Sequence, residues 1–231
     1  MIAVMVIAAM LPAAAWLVLF YRSDRYQREP RGLVARTFLV GGLVGLAFAF
    51  VYSGPPFVRS ALLMAILVAP LVEETAKFLV VRWTVYGNAA FDEPVDGMVY
   101  ASAAALGFAS VENAVYVVSG YLDAGAGGAF YVMAGRSVLS VPAHALFSSV
   151  WGLALAWQKG RSGARPVLVV AAALLAGMGM HSAFNYLVGA RLLGGLAFLL
   201  ALGLAWRGVF LLIRRALADS PYAPEEDDRR R

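Results

Sequence analysis

The chain has 231 residues, 61% of them hydrophobic and 14% charged, and a mean hydropathy of +0.74. That balance excludes an ordinary soluble domain and describes a polytopic membrane protein. The formal charge of +5 does not mark a nucleic-acid binder, because the arginines flank apolar runs, and the absence of cysteine excludes disulfides, thiolate catalysis and cysteine metal sites.

The sequence predicts an all-α transmembrane helical bundle of about seven spans. The first apolar run, residues 1–21, has no basic segment before it and is followed by Arg22, Arg25, Arg28 and Arg31, so it reads as an uncleaved span. A second run, residues 33–52, closes at the turn Ser53-Gly54-Pro55-Pro56. The third, about residues 61–85, carries Glu73, Glu74 and Lys77 shortly after Pro70, which loosens a helix because it has no N–H. Residues 88–96 form a polar loop in which Asp96 is placed to cap a fourth span, ending near Ser119, and residues 120–128 form a glycine-rich loop. Three further spans occupy roughly residues 137–157, 167–188 and 192–213.

A single integral-membrane domain, residues 1–213 with its core at 33–188, is therefore expected, followed by a charged, disordered cytoplasmic tail at 214–231. With seven spans, the arginines of residues 22–36, Arg82, Lys159, Arg161, Arg165, Arg214 and Arg215 fall on one side, and only Arg59, Arg136 and Arg191 on the other. Basic residues gather on the cytoplasmic side, so the N-terminus is expected outside and the C-terminus inside. Arginine outnumbers lysine and alanine is abundant, as in a GC-rich bacterial genome; the expected location is a bacterial inner membrane, crossed several times.

Ionisable side chains inside a bilayer are costly and point to function. Counting ~1.5 Å of rise per residue from the outer boundary, Glu73 lies at about 18 Å and Glu112, His144 and His181 at roughly 10–12 Å, so four separate spans converge. Glu73 with Lys77, and His181 with Asn185, are i, i+4 pairs, while Ser140, His144 and Ser148 form a one-face stripe with Arg136 a turn further out. Each feature has a plainer reading: Glu73 and Lys77 as a structural ion pair, either histidine as an interhelical hydrogen-bonding group, Glu112-Asn113 as a packing device. Their convergence favours chemistry. A desolvated glutamate beside other carboxylates takes a proton from water near neutral pH, and histidines and Asn185 donate to an oxyanion, so hydrolysis of an amide by attacking water fits best. No serine of the set has a histidine with an orienting acid, which disfavours an acyl-enzyme. No cofactor is expected; zinc on Glu73, Glu112, His144 and His181 is the metal-dependent alternative, without an H-E-x-x-H signature.

The blocks Glu73-Glu74-Thr75-Ala76-Lys77-Phe78, Asp96-Gly97-Met98-Val99-Tyr100, Gly107-Phe108-Ala109-Ser110-Val111-Glu112-Asn113, Pro142-Ala143-His144-Ala145-Leu146-Phe147 and His181-Ser182-Ala183-Phe184-Asn185 resemble, in content and order, the signatures of the PrsW family of bacterial intramembrane proteases. Through it the chain is similar to the CAAX prenyl endopeptidases and Abi proteins. That resemblance implies Glu73 as the base, His181 and Asn185 as the oxyanion site, and Glu74 and Lys77 as orienting partners. Where the CAAX branch has F-x-x-x-H, this chain has Phe108 and Glu112, so the second helper of water is Glu112 or His144, and a carboxyl pair sharing a proton stays open. The founding PrsW activity implies a single-pass substrate such as an anti-sigma factor, cut near its outer end. Asn113, Arg136, Asp96 and Ser148 are supporting candidates. The partners expected are that substrate and the lipid bilayer, with no nucleic acid. A non-proteolytic scaffold, like the subunit of gamma-secretase similar to this superfamily, and a proton-coupled carrier are the competing readings.

Overall fold

Two features of the sequence fix the frame: long apolar runs that make helices, and small residues that let those helices approach closely. The structure is a computed structural model describing residues 1–53, 60–189 and 195–224. The expected turn at Gly54-Pro55-Pro56, Arg59, Arg191 and residues 225–231 of the tail expected at 214–231 lie outside the described residues, while residues 214–218 of that tail are helical.

In chain order the helices are α1 (Ile2–Ser23), α2 (Arg31–Tyr52), the short α3 (Ala61–Leu63), a π-helical stretch (Met64–Val68), α4 (Ala69–Thr84), α5 (Pro94–Val138), α6 (Ser140–Trp157), α7 (Ala164–Gly189) and α8 (Gly195–Ala218). There is no strand among the described residues, so the all-α expectation holds. Four described stretches are long and apolar enough to cross a membrane: Ile2–Ser23, Arg31–Tyr52, Pro94–Trp157, which joins α5 to α6, and Ala164–Gly189. The charged α4 is not one of them.

The π-helical stretch has a local cause. Pro70 has no N–H, and the Ala69 N–H bonds back to Met64 O, five residues away. The Ala65 carbonyl then lacks both of its ordinary donors, since residue 69 is committed and residue 70 cannot donate. Asn185 Nδ2 of α7 donates to it at 2.8 Å. A helix fault on one element thus becomes a tie to another.

α5 is the central element, and its first limb is buried almost continuously from Pro94 to Ser110. Glycines set its contacts with its neighbours. A Cβ on Gly107 would strike the Phe38 carbonyl of α2, and one on Gly97 the Gly152 carbonyl of α6. Where no hydrophobic force drives helices together, such close backbone approach supplies the packing energy.

The glycine-rich segment is not the loop expected at residues 120–128. Helix continues to a sharp kink at Ala124 and Gly125, the latter at φ 65°, ψ −154°, a conformation open essentially to glycine alone. The chain then returns as a second helical limb, with Gly120 and Gly128 facing each other so closely that neither has room for a side chain. Arg136, on the returning limb, thereby meets Asn113 on the outgoing one. The start of α5 also differs from expectation. Glu93 is the N-cap, while Asp96 sits inside the first turn and closes a reciprocal capping box with it. Its Oδ2 accepts the N–H groups of Glu93 at 2.7 Å and Asp92 at 2.8 Å.

One end of the bundle gathers the α1–α2, α4–α5 and α6–α7 loops and the end of α8. Tyr100 donates to Glu29, Arg36 to the Thr84 carbonyl, Lys159 to the Asn88 and Phe91 carbonyls, and Tyr222 to Asp92. The kink at Gly125 lies about 45 Å away along the first limb of α5.

Candidate active site

α4, α5, α6 and α7 each contribute an ionisable group to one buried cluster. Its centre is Lys77, which is completely buried. Lys77 Nζ donates to Glu74 Oε1 at 2.8 Å and to His144 Nδ1 at 3.0 Å, lies 3.5 Å from Glu73 Oε2, and sits 4.6 Å above the Phe108 ring. An ammonium has three donors and no acceptor, and two of the three are engaged by Glu74 and His144.

The two adjacent glutamates are treated differently. Glu74 is saturated: beyond Lys77, its Oε2 accepts from Ser148 Oγ at 2.7 Å and Trp151 Nε1 at 3.0 Å, and its Oε1 faces His181 Nδ1 at 3.2 Å. Glu73 Oε2 is buried and accepts no hydrogen bond. Lys77 lies 3.5 Å from it and His181 Nε2 4.0 Å. One carboxylate is therefore a fixed anchor, and its neighbour is left open.

The same contacts set the histidine tautomers. A carboxylate only accepts, so His181 carries its proton on Nδ1 toward Glu74 and turns Nε2 toward Glu73. Phe147 stacks on the His181 ring at 5.1 Å and holds its plane. His144 accepts from Lys77 on Nδ1, so its Nε2 carries the proton and meets Glu112 Oε2 at 2.9 Å. Arg136 Nη2 reaches the same Glu112 oxygen at 3.0 Å and its guanidinium lies 4.0 Å from the Tyr116 ring centroid. Arg136 Nε donates to Asn113 Oδ1 at 3.2 Å, and Asn113 Nδ2 donates in turn to the Ala9 carbonyl at 2.6 Å, which secures α1.

A cavity of about 610 Å³ opens onto this cluster. Glu73, Glu112, His144, His181, Asn185, Arg136 and Phe108 line it, with Tyr52 and Phe48 of α2 forming the far wall. It is large enough for an extended stretch of peptide and mostly apolar.

The structure brings together Glu73, Glu74, Lys77, Phe108, Glu112, Asn113, Arg136, His144, Ser148, His181 and, at the cavity edge, Asn185. Asp96 stands apart, 16 residues and ~24 Å before Glu112 on the same helix. Two expectations shift in detail. Lys77 pairs more closely with Glu74, at i+3, than with Glu73, at i+4. The Asn185 amide is engaged with Ala65, not free. Sequence reasoning missed Trp151. The spacing Ser148, Trp151 extends the polar stripe of α6 by one turn, and that was the available signal.

An all-helical membrane protein with a buried Glu–Lys–His cluster facing a cavity is the class that fold and site define. The model for the PrsW family intramembrane metalloprotease matches residues 29–213, and the chain belongs to that family. Its relatives include proteins named Protease PrsW from Geobacillus kaustophilus, 37% identical over 63% of this chain and 62% of the relative, from Oceanobacillus iheyensis, 32% over 78% and 81%, and from Bacillus subtilis, 31% over 64% and 66%. The match covers less than two thirds of the Geobacillus protein's length. No solved structure matches.

Proposed function

We propose that this chain is a multi-pass endopeptidase of a bacterial inner membrane that hydrolyses peptide bonds of membrane proteins with water activated at Glu73, and that its substrate is a single-pass protein such as an anti-sigma factor. The observation that carries the reading is the asymmetry of the glutamate pair. Of two adjacent buried carboxylates, Glu74 is saturated by four donors, while Glu73 keeps an oxygen without a hydrogen bond beside the cavity. A carboxylate kept in that state accepts a proton readily.

In this mechanism the scissile amide enters the cavity, and water lies between Glu73 and His181 Nε2. Glu73 takes the water proton as oxygen attacks the carbonyl carbon, then delivers it to the leaving nitrogen as the C–N bond breaks. Glu74 and Phe147 hold the His181 ring, and Lys77 offsets one of the two charges of the glutamate pair. Glu112, fixed by Arg136, orients His144 on the other side of the site. Asn185 stays at the cavity edge, where its amide lines the substrate path.

A divalent metal is a second reading, favoured by the donors present. Glu73, His144 and His181 each offer a ligand atom, and those atoms all lie within 4.8 Å of one another. Glu73 Oε2 is the orphaned oxygen such an ion would satisfy, and Glu74 on His181 Nδ1 is the carboxylate support that metal-binding histidines ordinarily have. His144 would exchange its Glu112 contact for the ion. When bound, the ion would acidify water and polarise a carbonyl.

Two measurements test these readings. Glu73→Gln keeps the fold and lowers cleavage by about 10²–10⁴-fold, read by profiling new peptide N-termini in membranes of cells expressing either form. Equal profiles would remove Glu73 as the base. On the metal reading, elemental analysis of purified protein finds a divalent ion that His181→Ala loses; activity in protein free of metal leaves the glutamate reading alone.

A further inference from the structure

A second buried cluster lies at the other end of the bundle, away from the cavity, and consists of carboxyl groups only. Asp24 follows α1, Glu29 precedes α2, and Glu93 and Asp96 open α5. All four are buried, Asp24 and Asp96 completely. Among the described residues none of the four has a lysine, arginine or histidine within ion-pair distance. Gathering them is costly unless something positive lies among them.

The backbone holds these acids as it would hold ligands. Asp24 Oδ2 accepts the Glu29 N–H at 3.1 Å, and Asp96 Oδ2 accepts the N–H groups of Asp92 and Glu93. In each, the second oxygen, Oδ1, is buried and has no hydrogen-bond partner. Ligand atoms of Asp24, Glu93 and Asp96 all lie within 4.8 Å of one another. Two oxygens opposite each other on a calcium-sized ion are about 4.8 Å apart, from metal–oxygen distances of about 2.4 Å.

We propose that Asp24, Glu93 and Asp96 bind a hard divalent cation, of the Mg²⁺ or Ca²⁺ kind, that ties the α1–α2 loop to the start of α5. An all-oxygen carboxylate set selects such ions over zinc or copper. Glu29, held by the Tyr100 hydroxyl, adds negative charge beside the site. The cation fixes the start of the helix that carries Phe108, Glu112 and Asn113, and so acts on the register of the active-site cluster from a distance. This site does not depend on the protease reading or on a metal at Glu73.

The test uses the full chain in detergent with His181→Ala, which disables the other metal-binding cluster, and Mn²⁺ as the probe. Electron paramagnetic resonance is expected to count one bound Mn²⁺ per chain, displaced by Mg²⁺ or Ca²⁺, with binding weakened at least ~10-fold in Asp24→Asn, which keeps an acceptor for the Glu29 N–H. No bound Mn²⁺ at millimolar concentration, or equal binding in Asp24→Asn, overturns the proposal. Should Asp24→Asn fail to fold, the melting temperature of the His181→Ala protein decides: Mg²⁺ raises it if the site exists, and no rise overturns the proposal. A melting temperature that responds to acid and to no cation has the same meaning, because the carboxyls then share protons instead.

Discussion

At the scale of the residue, Lys77 holds the active-site cluster together. It touches both glutamates and His144 from a position without solvent, so removing its charge leaves two carboxylates buried and uncompensated. Lys77→Met is expected to destabilise the protein by about 3–5 kcal/mol, measured by melting in detergent, and to abolish cleavage. Ser148→Ala removes one of four donors from Glu74 and should cost only about 1–3 kcal/mol, with partial activity. Equal effects of the two variants would mean that Lys77 is not the organising charge. Much of this cluster was legible beforehand, because charged residues in apolar runs can be compared by depth. Which glutamate is the anchor was not legible from spacing, and only the family resemblance pointed to Glu74. Positions i+3 and i+4 share a helix face, and the choice between Glu73 and Glu74 is made by Ser148, Trp151 and His181 from other helices.

At the scale of the element, the helices come together through backbone contact at small residues. Gly107 of α5 lies against the Phe38 carbonyl and Gly97 against Gly152, whereas Gly179 of α7 has nothing within 4 Å of where a Cβ would be. Gly107→Ala is therefore expected to push α2 from α5 and lower stability by about 1–3 kcal/mol or more, with loss of the cavity wall that α2 provides. Gly179→Ala, at an open helical position, should be neutral or stabilising by about 0.5–1 kcal/mol. Comparative melting of the two proteins checks both, and an unharmed Gly107→Ala would show that α2 yields easily. Composition showed that small residues were abundant but not which of them met a neighbour. The kink at Gly125 was equally hidden. A glycine-rich stretch reads as a loop, yet here a single residue at positive φ reverses the chain while helix persists on both sides. Helical hydrogen bonds within each limb cost no side chains, so glycine content alone could not exclude them.

At the scale of the whole molecule, the arrangement of loops bears on orientation and on where a substrate is cut. The loops after α1, α4 and α6 and the end of α8 meet at one end, which also carries most of the arginines, while Gly125 and Gly127 lie at the opposite end. We propose that the arginine-rich end is cytoplasmic, because basic residues are retained on that side. From the Gly125 kink, Glu112 lies about 13 residues inward, or ~20 Å along α5, against about 18 residues, or ~27 Å, from Pro94, so the cluster is nearer the kink end of that limb. The chain contains no cysteine, so single cysteines report position without a background. Gly127 has nothing within 4 Å of its Cβ position, and Arg161 is exposed in the α6–α7 loop. In intact cells whose outer barrier has been opened, a membrane-impermeant maleimide is expected to label Gly127→Cys and spare Arg161→Cys until the inner membrane is disrupted. The reverse pattern would turn the molecule over, set the Glu73 cluster nearer the cytoplasm, and remove the geometric basis for cutting a single-pass substrate at its outer end. Labelling of both from the same side would overturn the assignment of these two loops to opposite faces, and with it the count of crossings between them.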